Sequence, residues 1–153
     1  MTVLLGIDLG ERRIGVAAGD TISGSVNPLL TLRRGSASHD AEAIGRICAE
    51  RGAEAVVVGL PLNMDGSESA QSERTRAWVA EIGPHLELPV SLRDERRTSE
   101  QAEVRLGRAP RGRSGGPPSG RARNAWRARV DREAAAAILQ RELDARATSE
   151  VQP

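Results

Sequence analysis

The stretch Val3-Leu4-Leu5-Gly6-Ile7-Asp8-Leu9-Gly10 is a continuous apolar run with one carboxylate near its end. A run of this kind is typical of a β-strand that is covered on both faces. An ionised Asp loses its hydration when it is buried, so Asp8 needs a partner for its charge. That partner could be a metal ion. The stretch therefore predicts a core strand with a candidate functional group at its end.

Further apolar segments predict four more strands around this one. They cover residues 14–18, 29–32, 55–59 and 90–92. The first of them follows the opening strand after the short connection Gly10–Arg13, which predicts a hairpin. The segment 55–59 is apolar throughout, which predicts a parallel central strand. The dipeptide Asn27-Pro28 predicts a turn before the third strand.

Helical patterns fill the intervals between the strands. We expect helices over about 40–51, between 67 and 83, from Thr98 onward, and over 129–140. Asp40 is the predicted N-cap of the first helix, and Thr98 followed by Gln101 resembles a capping box. With the last two helices taken together as the final helical part, the order of elements is βββαβαβα. Periodicity alone supports a mixed α/β domain with this order.

Length and composition predict a single domain. The chain has 153 residues, and we expect one domain over residues 1–146 with a disordered tail over 147–153. An insertion at about 107–125 is rich in Arg, Gly and Pro and lacks apolar periodicity, so we expect it to be flexible. Cys48 is the sole cysteine, which favours a buried structural thiol. No segment resembles a membrane span or a signal peptide, which predicts a cytoplasmic protein.

Two more carboxylates occupy positions comparable to that of Asp8. Glu95, with Asp94 beside it, follows the fifth strand, where open α/β sheets place their ligands. Asp131 shares a helical face with Ala134, Ala135 and Ile138, which should pack on the sheet. Each has a simpler interpretation: Glu95 as a solvated carboxylate among arginines, and Asp131 as a favourable charge at a helix N-terminus. Carboxylates that share a pocket need divalent cations, and Mg²⁺ and Mn²⁺ prefer oxygen ligands.

Several of these motifs together resemble the YqgF/RuvX family of Holliday-junction-resolvase-like proteins, which are also called pre-16S rRNA nucleases. The resemblance covers nearly the whole chain from Leu5 to Leu143, and the segments that carry it are 6–10, 13–17, 59–67, 94–96 and 130–140. The run Gly-Leu-Pro-Leu-Asn-Met-Asp-Gly at 59–66, here called the signature loop, is the most specific of them. Gly-Ile-Asp-Leu-Gly by itself is shared with actin-like ATPases, but this chain is too short for the two domains that clasp a nucleotide.

The resemblance implies a ribonuclease H-like fold, a mixed five-stranded sheet flanked by helices. It also implies a Mg²⁺- or Mn²⁺-dependent nuclease that processes the 5′ end of 16S ribosomal RNA. The implied catalytic and metal-binding acids are Asp8, Glu95 and Asp131, with Asp94 as a possible substitute for Glu95. Asp65 in the signature loop is either a turn former or an active-site residue. The implied partners are precursor rRNA and a ribosomal precursor particle, with junction DNA as an alternative substrate, and the protein would be a monomer or homodimer.

An arginine-rich segment before Asp131 departs from the short basic connection that is usual in the family. We expect it to track a phosphate backbone without reading bases, with affinity that falls steeply with salt. A solvated linker without a partner is the alternative. Trp126 either stacks on an unpaired base or anchors the end of the segment. The predicted nucleic-acid-binding residues are Arg108, Arg111, Arg113, Arg121, Arg123, Trp126 and Arg127. A non-catalytic nucleic-acid-binding protein is the competing functional class.

Overall fold

The computed structural model describes residues 2–96 and 119–151 of the chain. Its strands are β1 (Val3–Leu9), β2 (Arg13–Asp20), β3 (Val26–Arg33), β4 (Ala53–Leu60) and β5 (Val90–Asp94). Its helices are α1 (Ala37–Arg51), α2 (Ala70–Ile82) and α3 (Gly120–Val151), with a short 3₁₀ turn at Gly83–His85. The described elements follow the predicted order βββαβαβα. The helix expected from Thr98 onward lies outside the described residues.

The five strands form one mixed sheet in the order β3-β2-β1-β4-β5. Strand β1 is antiparallel to β2 and parallel to β4, and β5 is parallel to β4. Because β1 lies at the centre of the sheet, both of its edges are paired and both of its faces are covered. This position explains why residues 3–9 are almost wholly apolar.

The two faces of the sheet have different partners. Alternation along β1 sends Leu5, Ile7 and Leu9 to the face covered by α1 and α2, where they join the larger apolar cluster with Trp78 and Ile82. Leu4, Gly6 and Asp8 point to the opposite face, which α3 covers with a smaller cluster of its own. Asp8 therefore lies at the end of the strand on the α3 side.

Glycines on the α3 face let the helix approach the sheet closely. A Cβ at Gly6 would lie 2.9 Å from the Ala135 carbonyl oxygen, and one at Gly15 only 2.0 Å from that of Asp131. Real Cβ atoms essentially never make non-bonded contacts this short, so these positions must be glycine. These glycines suggested no function in the sequence alone. In the structure they set the distance between α3 and the sheet.

The predicted turn at Asn27-Pro28 is wrong, because both residues lie within β3. Strand β3 is at the edge of the sheet, where the missing N–H of a proline need not face a neighbouring strand. The register between β2 and β3 shifts at Val16/Ala17, and Ala17 pairs with Pro28. The register shift thus accommodates Pro28 within the edge strand.

The predicted N-cap of α1 is also wrong. Ser36 caps the helix, with its hydroxyl accepting from the His39 N–H, while Asp40 lies within the first turn. Asp40 is buried and accepts hydrogen bonds from the Gly35 N–H at 2.8 Å and the Trp78 indole N–H at 3.2 Å. Its carboxylate thus ties α1 to α2 across the core.

The last helix is longer than predicted at both ends. Helix α3 includes residues 120–125, which we expected in the flexible insertion, and it continues to Val151 in the expected tail. Ala and Arg are strong helix formers, and Ser119 accepts from the Ala122 N–H at the start of the helix. The remainder of the insertion lies outside the described residues. Within the described ranges, no helix is long and apolar enough to cross a membrane.

Candidate active site

Three elements bring Asp8, Glu95 and Asp131 to the same end of the sheet. Asp8 is near the end of β1, Glu95 directly follows β5, and Asp131 lies on α3 above β2. Asp8 and Glu95 are only 8% and 6% exposed, and the Asp131 side chain is 19% exposed. The structure thus gathers the three acids that the sequence singled out.

The position of Asp131 follows from the register of β1 and β2. Asp8 pairs with Gly15 across the two strands, so the two residues lie side by side on the α3 face. The backbone of Asp131 rests where a Gly15 side chain would be. Because Gly15 lies between them, the helix carries Asp131 to the neighbourhood of Asp8.

The position of Glu95 depends on a second glycine and on an arginine from α3. A Cβ at Gly59, on the adjacent strand β4, would lie 2.8 Å from the Glu95 carboxyl carbon. Arg141 donates to the carbonyl oxygens of Asp94 and Arg96, each at 3.3 Å, and so holds the backbone on both sides of Glu95. The carboxyl group of Glu95 therefore lies over the end of β4, directed toward Asp8.

The electrostatics of the site are those of crowded carboxylates. Burial, together with the charge of Asp131, raises the pKa of Asp8 to about 7. Burial and then the charge of Asp8 raise the pKa of Glu95 to about 9, against a lowering effect of Arg141. Each group resists ionisation because its neighbours are acidic and water is excluded. A cation in this pocket would reverse that preference.

Asp131 is held by an ion pair with Arg13, whose Nε donates to a carboxylate oxygen at 2.7 Å. In the described part of the chain, no three Asp, Glu, His or Cys side chains are close enough together, as they stand, to hold a metal ion. The donor chemistry nevertheless fits Mg²⁺ or Mn²⁺, because the buried carboxyl groups of Asp8 and Glu95 both have raised pKa values and the charge of Asp131 acts on Asp8. For Asp131 to join such a site, its carboxylate must exchange Arg13 for the cation.

Asp94 is not part of this group of acids. Its carboxylate binds the Arg96 side chain at 2.6–2.8 Å, and this contact lowers the pKa of Asp94. Arg96 also donates to the Met64 carbonyl oxygen at 2.9 Å, which links the signature loop to the end of β5. The geometry separates the two candidates: Glu95 faces Asp8, and Asp94 braces a loop.

Asp65 has the turn-forming role that the sequence allowed. Its exposed carboxylate accepts from the Ser67 N–H at 2.9 Å and from the Ser67 hydroxyl at 2.6 Å, and these bonds lower its pKa. Gly66 beside it has φ +88°, a conformation that favours glycine. The signature loop is thus a hydrogen-bonded turn in which Met64 is half-exposed and its carbonyl oxygen accepts from Arg96.

The predicted nucleic-acid-binding residues fall into two groups. Arg121, Arg123 and Arg127 are exposed on the first turns of α3, and Trp126 packs against Val130 and Ala134. Packing of this kind agrees with the anchoring interpretation of Trp126. Arg108, Arg111 and Arg113 lie outside the described residues.

Arg13 and Arg141 are site residues that sequence reasoning missed. Both contact the acids or the backbone that carries them, yet neither stood out among the chain's many arginines. The signal that could have identified Arg13 is its position at the start of β2, since the hairpin returns it beside Asp8. No comparable signal marks Arg141, because its contact depends on how α3 crosses the sheet.

Comparisons with known proteins agree with this geometry. Residues 2–145 match the family model described as RuvX, Holliday junction resolvase. A protein of Synechococcus elongatus named "Putative pre-16S rRNA nuclease" is 39% identical over 140 residues, covering 92% of this chain and 87% of the relative. A protein of the same name from Anaeromyxobacter sp. strain Fw109-5 is 40% identical over 142 residues, covering 93% and 96%.

Solved structures support the fold. Thermus thermophilus RuvC in complex with a Holliday junction substrate superposes with a TM-score of 0.55 at 17% identity, covering 97% of this chain and 98% of RuvC. Fowlpox virus resolvase in complex with Holliday junction DNA gives 0.54 at 8% identity, covering 94% and 98%. At such identities the likeness concerns the fold alone, and it confirms the predicted ribonuclease H-like class.

Proposed function

Since this chain belongs to the RuvX family, we propose that it is a nuclease that hydrolyses phosphodiester bonds in the precursor of 16S rRNA, with Asp8, Glu95 and Asp131 as its catalytic and metal-binding acids. The names of relatives about 40% identical over nearly the whole chain support the substrate. A ribosomal precursor particle in the cytoplasm is the setting that this substrate implies.

The observation that carries the proposal is the convergence of three carboxylates at one end of the sheet. Two of them are buried beside each other, and their pKa values are raised to about 7 and about 9. Such an arrangement disfavours the folded state unless something compensates, and clusters of this kind are typical of functional sites. A divalent cation would compensate, and we propose Mg²⁺ or Mn²⁺ as the cofactor.

Each acid has a distinct part in the proposed mechanism. Asp8 and Glu95, fixed by β1 and by the Arg141 contacts, supply the rigid and buried oxygen donors. Asp131 supplies a third, more exposed donor on the side open to the substrate, once it leaves Arg13. A bound divalent cation supplies positive charge for the phosphate and lowers the pKa of the attacking water. In-line attack of this water on the phosphorus breaks the bond between phosphorus and the 3′ oxygen. The products are a 3′-hydroxyl and a 5′-phosphate.

Four-way junction DNA is the second candidate substrate. The description of the family model favours it, since the model is that of a Holliday junction resolvase. The acidic site would perform the same hydrolysis on either nucleic acid. The two substrates therefore differ in how they reach the site and are distinguished by experiment.

Cleavage of labelled precursor 16S rRNA and of junction DNA, side by side, tests the proposal. The wild-type chain with Mg²⁺ or Mn²⁺ should cut the rRNA precursor and should be inactive in EDTA. Asp8→Asn should retain the fold and lose cleavage, whereas the exposed control Asp65→Asn should remain active. Metal-independent binding without cleavage by the wild type would instead indicate a non-catalytic nucleic-acid-binding protein. Unchanged cleavage by Asp8→Asn would remove Asp8 from the mechanism.

A further inference from the structure

A basic cleft lies between the β2–β3 side of the sheet and the first turns of α3. It has a volume of about 330 Å³ and is lined by Arg12, Arg13, Thr31, Leu32, Arg33, Asn124 and Ala128. Among the residues that the structure describes, the lining contains three arginines and no acidic residue. The cleft is separate from the carboxylates of the active site but adjoins them through one shared residue, Arg13.

Three hydrogen bonds hold the walls of the cleft in place. The Thr31 hydroxyl donates to the Ala128 carbonyl oxygen at 2.7 Å, which fixes α3 against the edge strand β3. The Arg34 guanidinium donates to the Gly10 carbonyl oxygen at 3.1 Å, and its backbone N–H donates to that of Arg12 at 2.9 Å. The hairpin loop that carries Arg12 is thereby fastened to the end of β3. The cleft is consequently part of the framework of the fold.

Two of the three arginines in the cleft have no acidic partner in the part of the chain that the structure describes. Arg12 and Arg33 are exposed and have no ion pair within the described ranges, whereas Arg13 pairs with Asp131. Arg121 lies three residues before Asn124 on α3, so helical spacing adds a further cation to the same side. The unpaired Arg12 and Arg33 on the sheet side, with Asn124 on the facing α3 wall, form a site for an anion with several oxygens.

The chemistry of the lining matches a sugar–phosphate backbone better than a base. Arg, Thr and Asn side chains donate hydrogen bonds to phosphate and sugar oxygens. The lining contains no aromatic side chain, and the nearby Trp126 is packed against Val130 and Ala134. Base stacking therefore has no platform here.

We infer that this cleft binds the backbone phosphates of the nucleic-acid strand next to the scissile bond. The inference rests on the proposed function and adds a positioning surface to it. Arg13 spans the two sites, with its guanidinium on Asp131 and its side chain in the cleft wall. A strand that follows the arginines is thereby led to the acids, and its binding depends on charge and not on sequence.

Fluorescence anisotropy of a fluorescein-labelled RNA hairpin with a single-stranded extension tests the inference. The full chain is titrated in EDTA, so that binding is measured without cleavage, over a series of salt concentrations. The test variant is Arg12→Ala with Arg33→Ala. The matched control is Arg46→Ala with Arg51→Ala on α1, which removes two exposed arginines from the opposite face of the sheet. Both pairs are exposed, and circular dichroism verifies that each variant is folded.

The cleft variant should bind the RNA at least about tenfold more weakly, and its slope of log affinity against log salt should fall by about 1.4–1.8, as expected for two lost phosphate contacts. The control variant should bind within about twofold of wild type. Equal affinities for the two double variants would overturn the inference and leave the cleft as a surface for another anionic partner. The cleft variant could bind RNA more weakly than the α1 control while the wild type cuts neither substrate with Mg²⁺ or Mn²⁺. In that case the nuclease proposal fails, but the cleft remains a phosphate-binding surface.

Discussion

Replacing Asp8 by Asn should stabilise the protein at alkaline pH while it abolishes cleavage. Asp8 is 8% exposed, and its pKa is raised from 3.8 to about 7, chiefly by burial and then by Asp131. In the unfolded chain it ionises above about pH 4, whereas in the folded chain it keeps its proton to about pH 7. The stability that protonated Asp8 contributes is therefore fully present below about pH 4 and is lost as pH rises through about 7.

The difference between the two pKa values sets the size of the effect. About three units at roughly 1.4 kcal/mol each give about 4 kcal/mol as the upper limit for the cost of the ionised carboxylate. The buried amide of Asn has a cost of its own, about 1–2 kcal/mol, because its N–H groups need partners. We expect a net stabilisation of about 2–3 kcal/mol at about pH 8.5. At about pH 4, where Asp8 keeps its proton in the folded chain, only the cost of the amide remains, so Asp8→Asn should be about 1–2 kcal/mol less stable than wild type.

Urea denaturation in EDTA at these two pH values measures the effect. The control is Asp65→Asn, whose carboxylate is exposed and has a lowered pKa, so it should not stabilise the protein at either pH. A stability difference for Asp8→Asn that is the same at both pH values would show that Asp8 does not have a raised pKa in the folded protein. So would destabilisation at about pH 8.5, since it would mean that the folded protein already neutralises the charge.

Three further predictions concern other contacts. Gly15→Ala should destabilise the protein by at least about 3 kcal/mol in urea denaturation, because its Cβ would lie 2.0 Å from the Asp131 carbonyl oxygen. The control Gly83→Ala, with open space around it, should cost under about 1 kcal/mol. Equal costs would contradict the close approach of α3. Trp78→Phe should cost about 2–3 kcal/mol by the same method, because it removes an N–H donor from the buried Asp40 carboxylate; a cost below about 0.5 kcal/mol would argue against that hydrogen bond. Millimolar Mn²⁺ should raise the melting temperature of the wild type in differential scanning fluorimetry but not that of Asp8→Asn; equal shifts would place the cation elsewhere.

Much of the fold could be predicted from the sequence because its signals are local. The apolar runs of β1 and β4 and the order of elements are set by burial of alternate or successive side chains, which periodicity reveals. Pro28 was misinterpreted because its effect depends on whether the strand is central or at an edge, a tertiary fact. Residues 120–125 were misinterpreted because composition was given more weight than the helix propensity of Ala and Arg.

The candidate site could be predicted only in part. Asp8 and Asp131 could be identified because a carboxylate in an apolar pattern is unusual wherever it occurs. The choice between Asp94 and Glu95 could not be made, since neighbouring residues at the end of a strand point in opposite directions and the register is set by tertiary packing. The roles of Gly15, Gly59 and Arg141 could not be predicted at all, because each depends on where α3 crosses the sheet.

The single-turnover rate of precursor 16S rRNA cleavage with Mn²⁺, compared between Glu95→Gln and Asp94→Asn, measures whether the acids that face Asp8 perform the hydrolysis. The two substitutions remove one charge each from adjacent residues, but only Glu95 faces Asp8. Glu95→Gln should lower the rate at least about a hundredfold, whereas Asp94→Asn should lower it less than about tenfold. Equal rates for the two variants, or a greater loss for Asp94→Asn, would contradict this role of Glu95.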